Sequence, residues 1–138
     1  MDNHSKEVRS YNMSEIRSTG TKPEEIVRKY LFSKGLRYRK NVKILPRKPD
    51  IVFSKYKTVV FVNGCFWHGH QNCRYFVMPK SNTEYWESKI KSNITRDKTT
   101  YDSLSALGWN VPIVWECELK KDKRDITLER LFYSILGY

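Results

Sequence analysis

Thr58-Val59-Val60-Phe61-Val62-Asn63-Gly64-Cys65-Phe66-Trp67-His68-Gly69-His70-Gln71-Asn72-Cys73 passes from an apolar segment straight into a loop of ligand-type side chains. The run Thr58–Val62 is short, apolar and rich in β-branched residues, which predicts a strand inside a sheet. The segment after it, Val62–Cys73, carries two of the three cysteines, two of the three histidines and one of the four tryptophans. Soft metal ligands, a candidate proton-transfer group and two bare aromatics thus share the end of a core strand, and that combination points to chemistry.

Upstream, Thr21-Lys22-Pro23-Glu24 has the form of a capping box with proline in the first turn. Ile26, Val27, Tyr30 and Leu31 then mark one helical face, and Gly35 is a natural stop. Arg37–Ile44 alternates as a strand, Leu45–Lys48 turns the chain, and Pro49–Phe53 begins a second strand with Asp50 at its mouth. Downstream, Ser81-Asn82-Thr83-Glu84 is another capping-box pattern, opening a helix expected to run to Leu107. Trp86, Ile90, Ile94, Tyr101 and Leu104 form its stripe, and Asp97 falls on it. An inward carboxylate needs a partner; a structural salt bridge and a role beside a histidine or metal both fit. Trp109–Trp115 reads as a strand that Pro112 pushes towards an edge. Asp125 can cap a last helix whose Leu128, Leu131, Phe132, Ile135 and Leu136 are core residues. The order is helix, strands, ligand loop, helix, strand, helix, a single α/β domain.

The charge of the 138-residue chain is lopsided, with 26 Lys and Arg against 15 Asp and Glu, a formal +11. Seven basic residues and no acidic one lie between Lys34 and Lys48. So large a charge on one domain favours a polyanion partner, because phosphate contacts release counterions. Residues 1–20 read by composition either as a frayed terminus or as a basic arm ordered by a partner, with Met13 and Ile16 its large apolar side chains. No apolar run is long enough to cross a membrane and no signal-peptide segment opens the chain, so a cytoplasmic location is expected. An odd cysteine count argues against a closed disulfide framework.

Cys65, His70 and Cys73 offer three ligands on a short loop, and Cys117, the only other cysteine, ends a distant strand. Zinc favours four tetrahedral N/S ligands, so a closed structural site is the natural sum. The alternative is that these are small buried hydrophobes. His68 could replace His70 as the ligand, although its place beside Trp67 suits it to chemistry.

At this level of detail the sequence resembles the very-short-patch-repair (Vsr-type) mismatch endonucleases. The segments that carry the resemblance are Arg9-Ser10-x-Asn12-Met13, Lys48-Pro49-Asp50-Ile51-Val52, Val60 to His70 and Glu84-x-Trp86-x-x-Lys89-Ile90-x-x-Asn93. Arg96-Asp97 and Gly108-Trp109-x-Val111-x-x-Val114-Trp115-Glu116-Cys117 complete them. The resemblance implies a restriction-endonuclease-like α/β fold, with a central mixed sheet flanked by helices and a structural zinc. It divides the chain into a DNA-contacting arm over 1–20 and a nuclease domain over 21–138. It further implies a Mg²⁺-dependent nick in one strand of duplex DNA, 5′ to the thymine of a T:G mismatch left by deamination of 5-methylcytosine. Functional association with a cytosine-5 DNA methyltransferase and with mismatch-repair proteins follows from it, as do a monomeric state and action at the nucleoid.

By the same resemblance, Asp50 and the main-chain carbonyl of Val62 would hold Mg²⁺, with Glu24 a further acidic residue nearby. His68 would be the general base and Asp97 would orient it. Cys65, His70, Cys73 and Cys117 would hold Zn²⁺. Phe66, Trp67 and Trp86 would wedge into the base stack, with Met13 and Ile16 entering from the opposite groove. One position departs from the pattern: where the family's best-known form has an active-site histidine, this chain has Asn63. An amide cannot take a proton at neutral pH but can hydrogen-bond a phosphate oxygen or a metal-bound water. Two other functions stay open on the residues alone, a restriction-type endonuclease cutting matched duplex and a catalytically silent zinc-stabilised DNA-binding protein.

Overall fold

The apolar run that ends in the ligand loop is the middle strand of a sheet covered on both faces. The computed structural model describes residues 21–39, 49 and 51–137. Asp50, Met13 and Ile16, the 1–20 arm and most of the Arg37–Ile44 strand expectation lie outside them. Among the described residues, β1 (Ile51–Phe53) pairs antiparallel with β2 (Thr58–Asn63), and β2 pairs parallel with β3 (Ile113–Trp115). Three α-helices lie among the described residues: α1 (Lys22–Ser33), α2 (Thr83–Ala106) and α3 (Arg124–Leu136).

Alternation along the strands sorts the core into two layers. Ile51, Phe53, Val60 and Val114 point to one face, where they meet Val27 and Leu31 of α1 and Leu128, Leu131 and Ile135 of α3. Val52 and Val59 point to the other and meet Leu104 of α2. Both faces are dry, so β2 reads as a continuous apolar run instead of an alternating one. Its partner-facing residues set the register: Ile51 lies opposite Val60 in β1, and Asn63 opposite Trp115 in β3. The parallel strands β2 and β3 therefore end together, and β1 starts near that same end.

Local signals succeeded where a single turn decides the outcome. Thr21 Oγ1 accepts from the Glu24 N–H at the start of α1, with Pro23 in the first turn. Two expected caps differ. α2 starts at Thr83 with Asn82, not Ser81, at the N-cap, in a left-handed conformation and without a cap bond from the Asn82 side chain. Thr83 Oγ1 reaches back to the Pro79 and Lys80 carbonyls and ties the helix start to the preceding turn. Asp125 lies inside the first turn of α3, after an N-cap at Lys123. There its charge faces the positive end of the helix dipole without capping a donor.

β3 is shorter than its sequence pattern. Pairing with β2 begins at Asn110, whose N–H donates to the Lys57 carbonyl and whose carbonyl accepts from Val59. Pro112 contributes only its carbonyl, to Phe61 N–H, and the missing donor interrupts the ladder before Ile113. Arg39 exchanges two backbone bonds with Val52, the described trace of the strand expected over 37–44. On α2 the deepest residues are Ile90, Asp97, Thr100 and Leu104, whereas Ile94 of the expected stripe is 37% exposed.

Candidate functional site

The loop leaving β2 is tied down by its own backbone. His68 N–H bonds to the Gly64 carbonyl, Gly69 N–H to that of Phe66, and His70 N–H to that of Cys65. At its centre Gly69 has φ +58° and presses on α2 so closely that a Cβ there would lie 2.6 Å from Ile94 Cδ1 and 2.8 Å from Ile90 Cγ2. Only glycine satisfies both the left-handed backbone and the contact. The turn sends the histidines on either side of it to different environments.

His70 joins Cys65, Cys73 and Cys117, whose four ligand atoms all lie within 4.8 Å of one another. A tetrahedral zinc with sulfur bonds of about 2.3 Å would hold its sulfurs about 3.8 Å apart, so modest closure converts this cluster into a coordination sphere. The His70 ring stacks on Trp115, centroids 3.9 Å apart and planes 4° from parallel. Its Nδ1 is 3.5 Å from Cys117 Sγ. Glu118 in turn accepts from the Trp115 N–H at 2.9 Å and fixes the short 3₁₀ turn, Glu116–Leu119, that carries Cys117. Burial pushes the Cys65 thiol up to about 12 and raises that of Cys117 as well. At Cys73 burial acts in the same sense, but hydrogen bonds from the backbone at Tyr75 and from the neighbouring sulfurs prevail and hold the thiol below its usual value. Such a cluster gives up protons when it takes a metal.

His68 turns to α2 instead, at a cleft of about 340 Å³ whose lining includes Asn63, Asp97 and Tyr101 and, at its other side, His70 and Trp115. Its Nδ1 lies 2.5 Å from Asp97 Oδ2. That contact places the Nδ1 proton between the two and leaves Nε2 as the proton acceptor. Asp97 is the buried carboxylate on the stripe of α2, and its inward position is explained by this partner.

Two neighbours of Asp97 on α2 do the same work one turn away on either side. Asn93 Nδ2 donates to the Trp67 carbonyl at 2.9 Å, and Asn63 Nδ2 donates to the Tyr101 hydroxyl at 2.7 Å. Residues 93, 97 and 101 thus form a polar ladder at spacing four that grips three points of the strand end and loop. Asn93 and Tyr101 were not predicted as site residues. The spacing was visible, but Tyr101 reads as a core aromatic and an asparagine in a helix reads as surface.

The wedge candidates also assemble. Phe66 and Trp67 meet edge to face at 5.3 Å, and Trp86 from the first turn of α2 closes the group at 5.4 Å from Phe66 and 5.9 Å from Trp67. Among the described residues, Trp67 Nε1 is the one buried side-chain nitrogen or oxygen without a hydrogen-bond partner. Such an orphan costs about 1–3 kcal/mol. Glu24 is buried at the start of α1, where Arg28 Nη1 pairs with it at 3.1 Å.

The chain is similar in sequence to known proteins over most of its length. A sequence model for the family described as DNA mismatch endonuclease Vsr matches residues 1–74. The type II nicking enzyme V.NmeAIP of Neisseria meningitidis is 54% identical over 89% of this chain and 86% of its own length. V.XorIIP of Xanthomonas oryzae, a type II nicking enzyme too, is 49% identical over 86% of each. The DNA mismatch endonuclease Vsr of Escherichia coli is 42% identical over 99% of this chain and 88% of its own length.

Proposed function

The chain belongs to the Vsr family of DNA mismatch endonucleases, with their restriction-endonuclease-like α/β fold and DNA-nicking activity, and on that premise we propose that it nicks duplex DNA 5′ to the thymine of a T:G mismatch in a Mg²⁺-dependent reaction. The observation that carries the chemistry is the His68–Asp97 pair at 2.5 Å, facing a cleft at the shared end of β2 and β3. Phosphodiester hydrolysis needs a base for the attacking water, and a histidine whose second nitrogen is held by a carboxylate is such a base. His68 Nε2 takes the proton; Asp97 fixes the ring and balances the charge that forms on it.

Hydrolysis also needs a counter-charge at the phosphate. The Asp50 carboxylate, next in sequence to the first residue of β1, and the Val62 carbonyl are hard oxygen donors suited to Mg²⁺. When bound, the ion supplies Lewis-acid stabilisation of the negative charge on the phosphate. Glu24, paired with Arg28 in the first turn of α1, serves this reading as a buried acidic group. Zn²⁺ is the metal that best fits three thiols and an imidazole, and four protein ligands leave it no open position, so its part is structural.

Selectivity for a mismatch follows from the aromatic group. Phe66, Trp67 and Trp86 are held at the loop by the Asn93 bond to the Trp67 carbonyl, and a wedge of rings opens the stack at least cost where pairing is already poor. Met13 and Ile16 would contact the other groove. The basic surface holds the backbone without reading sequence. Partnership with a cytosine-5 methyltransferase and with mismatch-repair proteins, a monomeric state, and action at the nucleoid in the cytoplasm complete the reading.

A panel of duplexes tests it. T:G, matched and other mismatched duplexes are incubated with Mg²⁺ added or withheld, and both strands are resolved on denaturing gels. A single nick at T:G that needs Mg²⁺ is expected. Cleavage of both strands of matched DNA would replace this reading with a restriction-type activity, and tight binding without any cut would mean a silent DNA-binding protein. Asp50→Ala is expected to abolish cutting while retaining T:G binding.

A further inference from the structure

We propose that Tyr101 is a positioning residue for strand cleavage, whose hydroxyl fixes the Asn63 amide at the wall of the cleft so that Asn63 holds a phosphate oxygen beside His68. The proposal rests on the reading above that His68 is the base. Asn63 is the last residue of β2 and only 3% exposed, and its Nδ2 donates to Tyr101 Oη at 2.7 Å. The short bond tethers the end of a buried amide to one point, so that the amide plane is held at the cleft wall instead of rotating about its side-chain bonds. The hydroxyl is itself fixed, because the Tyr101 ring packs edge to face on Phe61, centroids 5.1 Å apart.

Asn63, His68, Asp97 and Tyr101 all line the same cleft. α2 therefore holds two cleft residues through two consecutive turns: Asp97 grips His68 and Tyr101 grips Asn63. The first grip orients a group that moves a proton. The second orients a group that moves none, since an amide offers only hydrogen bonds. An oriented amide is suited to a non-bridging phosphate oxygen, where the charge is spread and a neutral donor suffices. In this arrangement the chain runs with one base and one fixed amide at the end of β2.

The test is a double-mutant cycle on single-turnover nicking, with Tyr101→Phe, Asn63→Ala and the pair together, each checked by its melting temperature and its KM for duplex. Tyr101→Phe keeps the ring on Phe61 and removes only the hydroxyl. It is expected to lower kcat about ten-fold with KM unchanged, the mark of an interaction made in the transition state. If Tyr101 acts through Asn63, the pair will be no slower than Asn63→Ala alone. Multiplying effects would overturn the proposal, as would a Tyr101→Phe enzyme with wild-type kcat. Should Asn63→Ala fail to fold, Asn63→Ser takes its place in the same cycle, with the same outcomes. If the wild type cuts matched duplex instead of T:G, the mismatch reading falls, and the cycle is run on the duplex that is cut.

Discussion

His68 and His70 are two residues apart, and they belong to different machines. His70 stacks flat on Trp115 within a cluster of three cysteines, while His68 turns to Asp97 in an open cleft. Gly69 between them makes the division possible, through a positive φ and direct contact with α2. The staple is built for permanence: its donors come from two distant parts of the chain, so binding a metal there is also folding. His68 is placed for exchange, with one nitrogen held by Asp97 and the ring at the cleft. A loop of this size can hold both only because the ligand set anchors one side and the helix ladder the other.

The sharpest break of the comparison is on the staple side. Cys117→Ser takes away the one donor contributed from beyond the loop, and structural zinc contributes on the order of 10 kcal/mol to folding. Loss of stoichiometric metal and a large fall in melting temperature are expected, measured by elemental analysis and calorimetry. An unchanged metal content would remove Cys117 from the ligand set.

His68→Ala should behave in the opposite way. Losing a general base typically costs about 10²–10⁴ in rate, roughly 3–5 kcal/mol on the barrier. Metal content should stay near wild type, and melting temperature should fall only by a few degrees as the buried Asp97 carboxylate loses its His68 partner. A variant that loses its metal as well would show the two sites to be one.

Gly69→Ala should damage both machines more gently. The added Cβ meets Ile94 and Ile90 below 3 Å at a left-handed φ, strain on the order of 1–3 kcal/mol. Denaturant unfolding should show the loss, and nicking and metal affinity should fall together. Damage to only one would mean that the loop transmits no strain across the glycine.

The smallest effect is a dependence on pH. In the metal-free protein the Cys65 thiol, raised by burial to about 12, keeps its proton throughout the neutral range. Metal entry must displace that proton, so affinity rises with pH and falls as pH drops, by about ten-fold per unit for each proton released. Competition against a chelator between pH 6 and pH 8 measures the slope. A flat profile would mean that Cys65 is not a ligand.

How much of this was legible in the residues depended on distance along the chain. Three of the four donors of the staple sit within nine residues, and cysteine is scarce enough for the fourth to be found by elimination. Asp97 could be flagged because a carboxylate on an apolar stripe is conspicuous, although its partner lies 29 positions away. The Asn63–Tyr101 bond spans 38 positions and joins two residues with ordinary local explanations. The caps at Ser81 and Asp125 failed for the opposite reason. Their local patterns were sound, but the loop before α2 and the turn before α3 set the entry of each helix, and cap geometry follows that entry.

The sequence by itself determined the α/β class, the central apolar strand, the cysteines of a cluster that could hold a metal, and the family, because strand burial, donor chemistry and motif order are properties of residues and their spacing. Only the tertiary structure decided which way each histidine faces, that α2 grips the loop at three rungs, and that Asn63 is pinned by Tyr101. Those outcomes depend on how closely a helix approaches a glycine and on which side chains from remote turns meet across the gap. Neighbouring residues in the chain do not encode such distances; packing does.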